Sequence, residues 1–148
     1  MIDPIRLGMK YLPIGCLVFL FGSALCQANS GDSLDYHIET AQSPAQKVIL
    51  LNKASASLTD ANLNRSLDYA TRAYALAQQT YDETGLVIAL HNLGKCYTRL
   101  GRGETAMENF LQALEISQKL ADEKFVGQTY KLIGNSYYFR DETAMALQ

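Results

Sequence analysis

The 148-residue chain is 48% hydrophobic and 19% charged, enough apolar material for one small domain with a buried core, which excludes a disordered polymer. Its formal net charge of −2 and pI near 5.6 supply none of the basic footprint on which nucleic-acid binding depends, so nucleic acid is excluded as a partner.

The first element is residues 1–28, which read as a secretory signal. Tyr11 to Cys26 is an uncharged apolar run behind Lys10, and Cys26-Gln27-Ala28 is a small-x-Ala cleavage pattern. Met9-Lys10 makes a more ordinary signal start than Met1, because Asp3 and Pro4 lie before it. The run is shorter than the ~20 residues a spanning helix needs, so an uncleaved membrane anchor is the alternative reading. A lipid anchor on Cys26 fits poorly, because Leu25 stands where such sites carry a small residue. With Cys16 and Cys26 inside the signal, Cys96 is left alone and no internal disulfide is expected.

Residues 29–43 are a polar lead-in with a faint helical pattern at Leu34 and Ile38. Ser43-Pro44 then gives a helix N-cap followed by proline at the first helical position. From Pro44 onward no alternating strand pattern persists and no further proline occurs, which predicts an all-α domain over 44–148.

Within that domain the helices repeat. LHNLGKCY at 90–97 returns as YKLIGNSY at 130–137. Leu90, Leu93, Gly94, Tyr97 and Ala106 stand 40 residues before Tyr130, Ile133, Gly134, Tyr137 and Ala146. Phe110 and Ala113 follow Ala70 and Ala73 at the same distance, and Asp122-Glu123 follows Asp82-Glu83. Glu104-Thr105-Ala106-Met107 also recurs as Glu142-Thr143-Ala144-Met145, but that register deletes two residues from a turn, and the gapless one is preferred. The repeats then run over about 44–81, 82–121 and 122–148. The third is truncated: Thr143 to Gln148 start its second helix, and the counterparts of Phe110 and Ala113 would fall beyond Gln148. The chain is therefore expected to be a fragment.

A glycine inside a helix costs roughly 1 kcal/mol against alanine, so its use at both Gly94 and Gly134 implies close packing. Gly94 is expected to face Ala106, small against small, while Leu93, Tyr97 and Phe110 fill the space beside them. Gly101 is placed to close the first helix of its repeat, and Asp82 and Asp122 to cap the helices that follow them.

The spacing Leu90-x2-Leu93-Gly94-x2-Tyr97, then Ala106-x3-Phe110-x2-Ala113, resembles the tetratricopeptide repeat signature, with Leu90 where that family usually has tryptophan. Gly103 in place of an aromatic, the missing repeat-ending proline and Ala54-Ser55 in place of Leu-Gly are departures. The repeat length is most similar to the long-helix variety found in exported sensory regions of bacterial histidine kinases and diguanylate cyclases, and residues 50–77 look like the opening repeat of that group. The resemblance implies an antiparallel helix-pair solenoid of two full repeats plus a truncated third. It also implies an exported, periplasmic interaction module serving signal transduction, whose missing C-terminal part would carry a membrane span and an output domain. A stand-alone periplasmic scaffold for envelope assembly is the alternative. The membrane would be reached only through an uncleaved signal or that missing span.

No catalytic constellation is found. His37 and His91 have no carboxylate or cysteine at ligand spacing, so neither metal nor cofactor is expected. The paired carboxylates at 82–83, 122–123 and 141–142 recur at helix starts, where capping and the helix dipole account for them. What remains is a protein or peptide ligand in a concave groove, lined by Asn52, Asn92, Lys95, Arg99, Lys131, Asn135 and Tyr138. Lys131-x3-Asn135 resembles the Lys/Asn pattern with which some tetratricopeptide modules hold an acidic peptide tail.

Overall fold

The structure is a computed structural model describing residues 33–146, with side chains described through Phe139. Two compact units divide the chain, Met1–Tyr36 and His37–Gln148. The expected signal segment, 1–28, lies outside the described residues.

Residues 33–39 are helical (α1). In the second unit the chain continues as α2 (Pro44–Leu58), α3 (Leu63–Thr80), α4 (Glu83–Arg99), α5 (Gly103–Lys119) and α6 (Glu123–Ala146), and no strand occurs among the described residues. Local chemistry sets most of the starts. Ser43 Oγ accepts from Gln46 N at 3.2 Å, with Pro44 at the first position of α2. Asn62 Oδ1 accepts from Arg65 N at 3.1 Å, Asp82 Oδ1 from Gly85 N at 2.8 Å and Asp122 Oδ1 from Phe125 N at 3.1 Å. Each such cap is worth about 1 kcal/mol.

The stops of α3, α4 and α5 share one device. Tyr81, Gly101 and Ala121 take left-handed φ values of 56°, 72° and 52°. At each, the residue's own amide and the next one turn back onto the last carbonyls: Gly101 N to Thr98 O at 3.0 Å and Arg102 N to Tyr97 O at 2.9 Å, with equivalent pairs at Tyr81-Asp82 and Ala121-Asp122. Gly101 thus closes α4 as the sequence predicts.

From α2 to α6 each helix packs on its chain neighbour, and α2, α4 and α6 also touch one another in succession, while the backbones of α3 and α5 do not approach within 8 Å. The first helices of the repeats therefore form an inner layer and the second helices an outer one. Val87, Leu90 and Ala113 are the centre of one core cluster, with Tyr74, Leu86, Ile116, Leu120 and Phe125 against it. Ala70, Ala73, Ala106 and Phe110 are buried, and Leu93 is 7% exposed.

Two packing expectations need correction. Gly94 receives the ring of Phe110, not Ala106: a Cβ there would stand 2.3 Å from Phe110 Cε1. The glycine makes room for an aromatic side chain reaching in from α5, while at the equivalent positions one repeat earlier Ala54 and Ala70 divide the same space. At Gly134 a Cβ would meet nothing within 4 Å, so no close packing among the described residues requires that glycine.

The turn expected before Thr143 is also absent, because α6 runs unbroken from Glu123 to Ala146. Asp141 stands where Gly101 stops α4, but Tyr81 and Ala121 make the same left-handed stop with a side chain, so the Cβ of Asp141 does not by itself account for the continued helix. Ala146 ends this same helix, and its side chain lies outside the described residues.

Candidate peptide-binding cleft

Stacking α2, α4 and α6 leaves a cleft of about 300 Å³ along their shared inner face. Its apolar part comes from Leu132 and Phe139 on α6 and from Phe110 on α5, and its polar part from Lys95 and Arg99 on α4 and Asn135 on α6. Three of the residues singled out from the sequence are thereby brought together on one wall and its neighbour.

Lys95 is half-buried, and burial holds its ammonium below the usual lysine range. It makes no hydrogen bond or ion pair among the described residues. Arg99, one turn on, is ion-paired with Asp60 at the cleft edge. One cation is thus neutralised and the other is open to an incoming anion.

The other expected groove residues are elsewhere. Asn52 and Asn92 are 4% and 2% exposed, and they join helices instead of lining a surface. Asn52 Nδ2 donates to Gly85 O at 3.0 Å, and Asn92 Nδ2 donates to Asn52 O at 3.1 Å. A buried amide without partners costs about 1–3 kcal/mol, so this ladder fixes the stacking of α2 on α4 and is closed to ligand. Leu132 occupies the next rung and ends it. Lys131 is exposed but does not border the cleft, and neither does Tyr138.

Sequence reading missed the apolar half of the cleft. Phe139 follows the Tyr137-Tyr138 pair, and its stagger against α2 and α4 is visible only once the helices are stacked. A buried polar cluster was missed as well. Ser66 Oγ lies 3.2 Å from Ser55 Oγ, 3.1 Å from Thr59 Oγ1 and 3.2 Å from Cys96 Sγ, which makes Cys96 a packing residue.

His91 sits one turn before Lys95 on the α6-facing side of α4, 5% exposed, with Nε2 2.7 Å from Thr129 Oγ1 on α6. Thr129 spends its hydroxyl proton on Phe125 O at 2.7 Å, so Nε2 carries the hydrogen and donates it. The ring also rests near Phe125, with centroids 6.3 Å apart. Burial, helped by Lys95 one turn away, lowers its pKa to about 4. The imidazole is a neutral strut between α4 and α6.

Among the described residues no group of three or more His, Cys, Asp or Glu side chains is placed to hold a metal, and no helix is long and apolar enough to cross a membrane. The family model for the tetratricopeptide repeat matches residues 46–119 and again 86–148, two windows whose starts differ by the repeat length read from the sequence. A comparison with curated proteins gives no match.

Proposed function

We propose, from the premise that this chain belongs to the tetratricopeptide repeat family, that it is a non-catalytic module holding an acidic peptide segment in the cleft between α2, α4 and α6. Repeats of this family bind proteins or peptides, and the cleft supports the finer reading. The observation that carries it is Lys95: a half-buried ammonium beside an apolar floor, with no anionic partner among the described residues. A peptide carboxylate would meet Lys95, Asn135 could bond extended backbone, and an apolar side chain would rest on Leu132 and Phe139.

Titration calorimetry with peptides carrying Asp or Glu beside a Leu or Phe tests this. Lys95→Met should abolish most of the binding while raising the melting temperature, since it removes a charge that burial disfavours. Peptides that bind Lys95→Met as well as they bind the native chain would refute the site. Exported location is part of the proposal and rests on residues 11–28; a mature N-terminus near Asn29, read by mass spectrometry, is the expected result, and a retained Met1 or Met9 the contrary one. On the long-helix repeat, the bound peptide would serve as the input of an exported sensory system.

A further inference from the structure

The face of α6 turned away from α4 breaks local rules without repayment among the described residues. Gly127 and Gly134 are exposed, a Cβ at either would meet nothing within 4 Å, and each weakens the helix relative to alanine. Tyr130, between them, is 55% exposed. One repeat earlier the same positions are covered: Val87 and Leu90 are fully buried and Gly94 carries the Phe110 ring. Beside this face lies a second cleft, about 360 Å³, floored by Met107, Leu111 and Tyr137 and edged by Glu104 and Glu108. It lies between α5 and α6.

We propose that this surface joins two copies of the chain, the α6 of each lying antiparallel across the other about a two-fold axis between Tyr130 and Lys131. That register sets Gly127 of each copy opposite Gly134 of the other, so that the backbones can approach closely where no side chain intervenes. It also sets Lys131 of each copy over the Tyr130 ring of the other, a cation–π arrangement, with the acidic edge of Glu104 and Glu108 supplying opposite charge. Holes, ring and cation recur in mirrored order along one helix, so the strip is complementary to itself. This is the mark of an interface that closes with two copies, in contrast to head-to-tail stacking, which stays open. The surface is separate from the Lys95 cleft, and Lys95→Met should leave it unchanged.

Sedimentation equilibrium on the full chain tests the proposal. A concentration-dependent dimer is expected. Gly127→Leu and Gly134→Leu should each weaken it by roughly tenfold or more, with helicity and melting of the dilute monomer unchanged or raised. Lys131→Cys should give a covalent dimer on oxidation, and Arg102→Cys should not. A chain that stays monomeric overturns the proposal. So does association indifferent to both glycine substitutions, as self-association of the apolar N-terminal segment would be, or loss of fold in the glycine variants. A monomer whose α6 face is protected only by a different protein gives the groove to another occupant and equally refutes it.

Discussion

α4 and α6 carry nearly the same pattern and meet different fates. Leu90 is fully buried and Tyr130 is 55% exposed; Leu93 is 7% exposed and Ile133 is half-buried; Gly94 is filled by a ring and Gly134 faces open space. Yet the side of α6 that meets α4 is as well buried as its counterpart: Thr129 is fully buried and Ser136 is 4% exposed. A repeat helix therefore takes its burial from two separate neighbours. The preceding helix of the inner layer covers one stripe of α6. The other stripe waits for an outer-layer helix, which α4 has in α5 and α6 lacks among the described residues. The glycine does not create tight packing; it permits packing where a partner arrives.

The sharpest way to break this comparison is to fill both glycines. Gly94→Leu should cost about 3 kcal/mol through collision with Phe110, whereas Gly134→Leu should cost almost nothing in the dilute monomer. Urea melts read both, and equal losses would mean that α4 and α6 are packed alike. Next in size is a pH effect on the joint between the two helices. The folded pKa of His91, about 4, lies below the ordinary 6.5, so between those values the unfolded chain holds a proton that the folded chain refuses. Stability should fall as pH drops from 6.5 towards 4, by at most about 3 kcal/mol. His91→Gln, which can still donate to Thr129, should flatten that slope, and an unchanged slope would place the acid sensitivity elsewhere. The smallest effect concerns the turns. Gly101 adopts φ 72° at little steric cost, while Ala121, the turn leading into α6, holds φ 52° with a Cβ. Ala121→Gly should raise stability by about 0.5–1 kcal/mol after the added freedom of the unfolded chain is deducted. A loss in thermal melts would show that the left-handed turn is not strained.

Much of the fold was legible because it is periodic. Recurrence of Leu90-x2-Leu93-Gly94-x2-Tyr97 sets the helix pair and its stripe, and Asp82 and Asp122 mark helix starts that the structure caps where expected. Periodicity cannot say which neighbour a stripe meets. Gly94 was assigned to Ala106 because both are small, but Phe110 lies one turn further along α5 and its ring reaches back over the glycine. Asn52 and Asn92 were placed in the groove because they are polar, yet their amides are spent on backbone carbonyls between helices. A polar residue on an inner helix can face ligand or the next helix, and only the stacking angle decides. The turn at Asp141 was inferred from the repeat length, a count that carries no information about whether the residue there can leave the helix. The same helical phase sets Lys95, Arg99 and Asn135 at the cleft and leaves Lys131 outside it, which shows how narrow the margin is.

The backbones of the outer helices α3 and α5 do not approach within 8 Å, although the inner helices form a continuous stack. A stack joined along one side and open along the other behaves as a leaf spring. Resistance to curvature then comes from the spine, through the Asn52–Asn92 rungs and the His91–Thr129 strut, and from the packing of α3 on α4 and of α5 on α6. The width of the cleft is a mechanical variable, and whatever fills it sets the pitch of the whole solenoid.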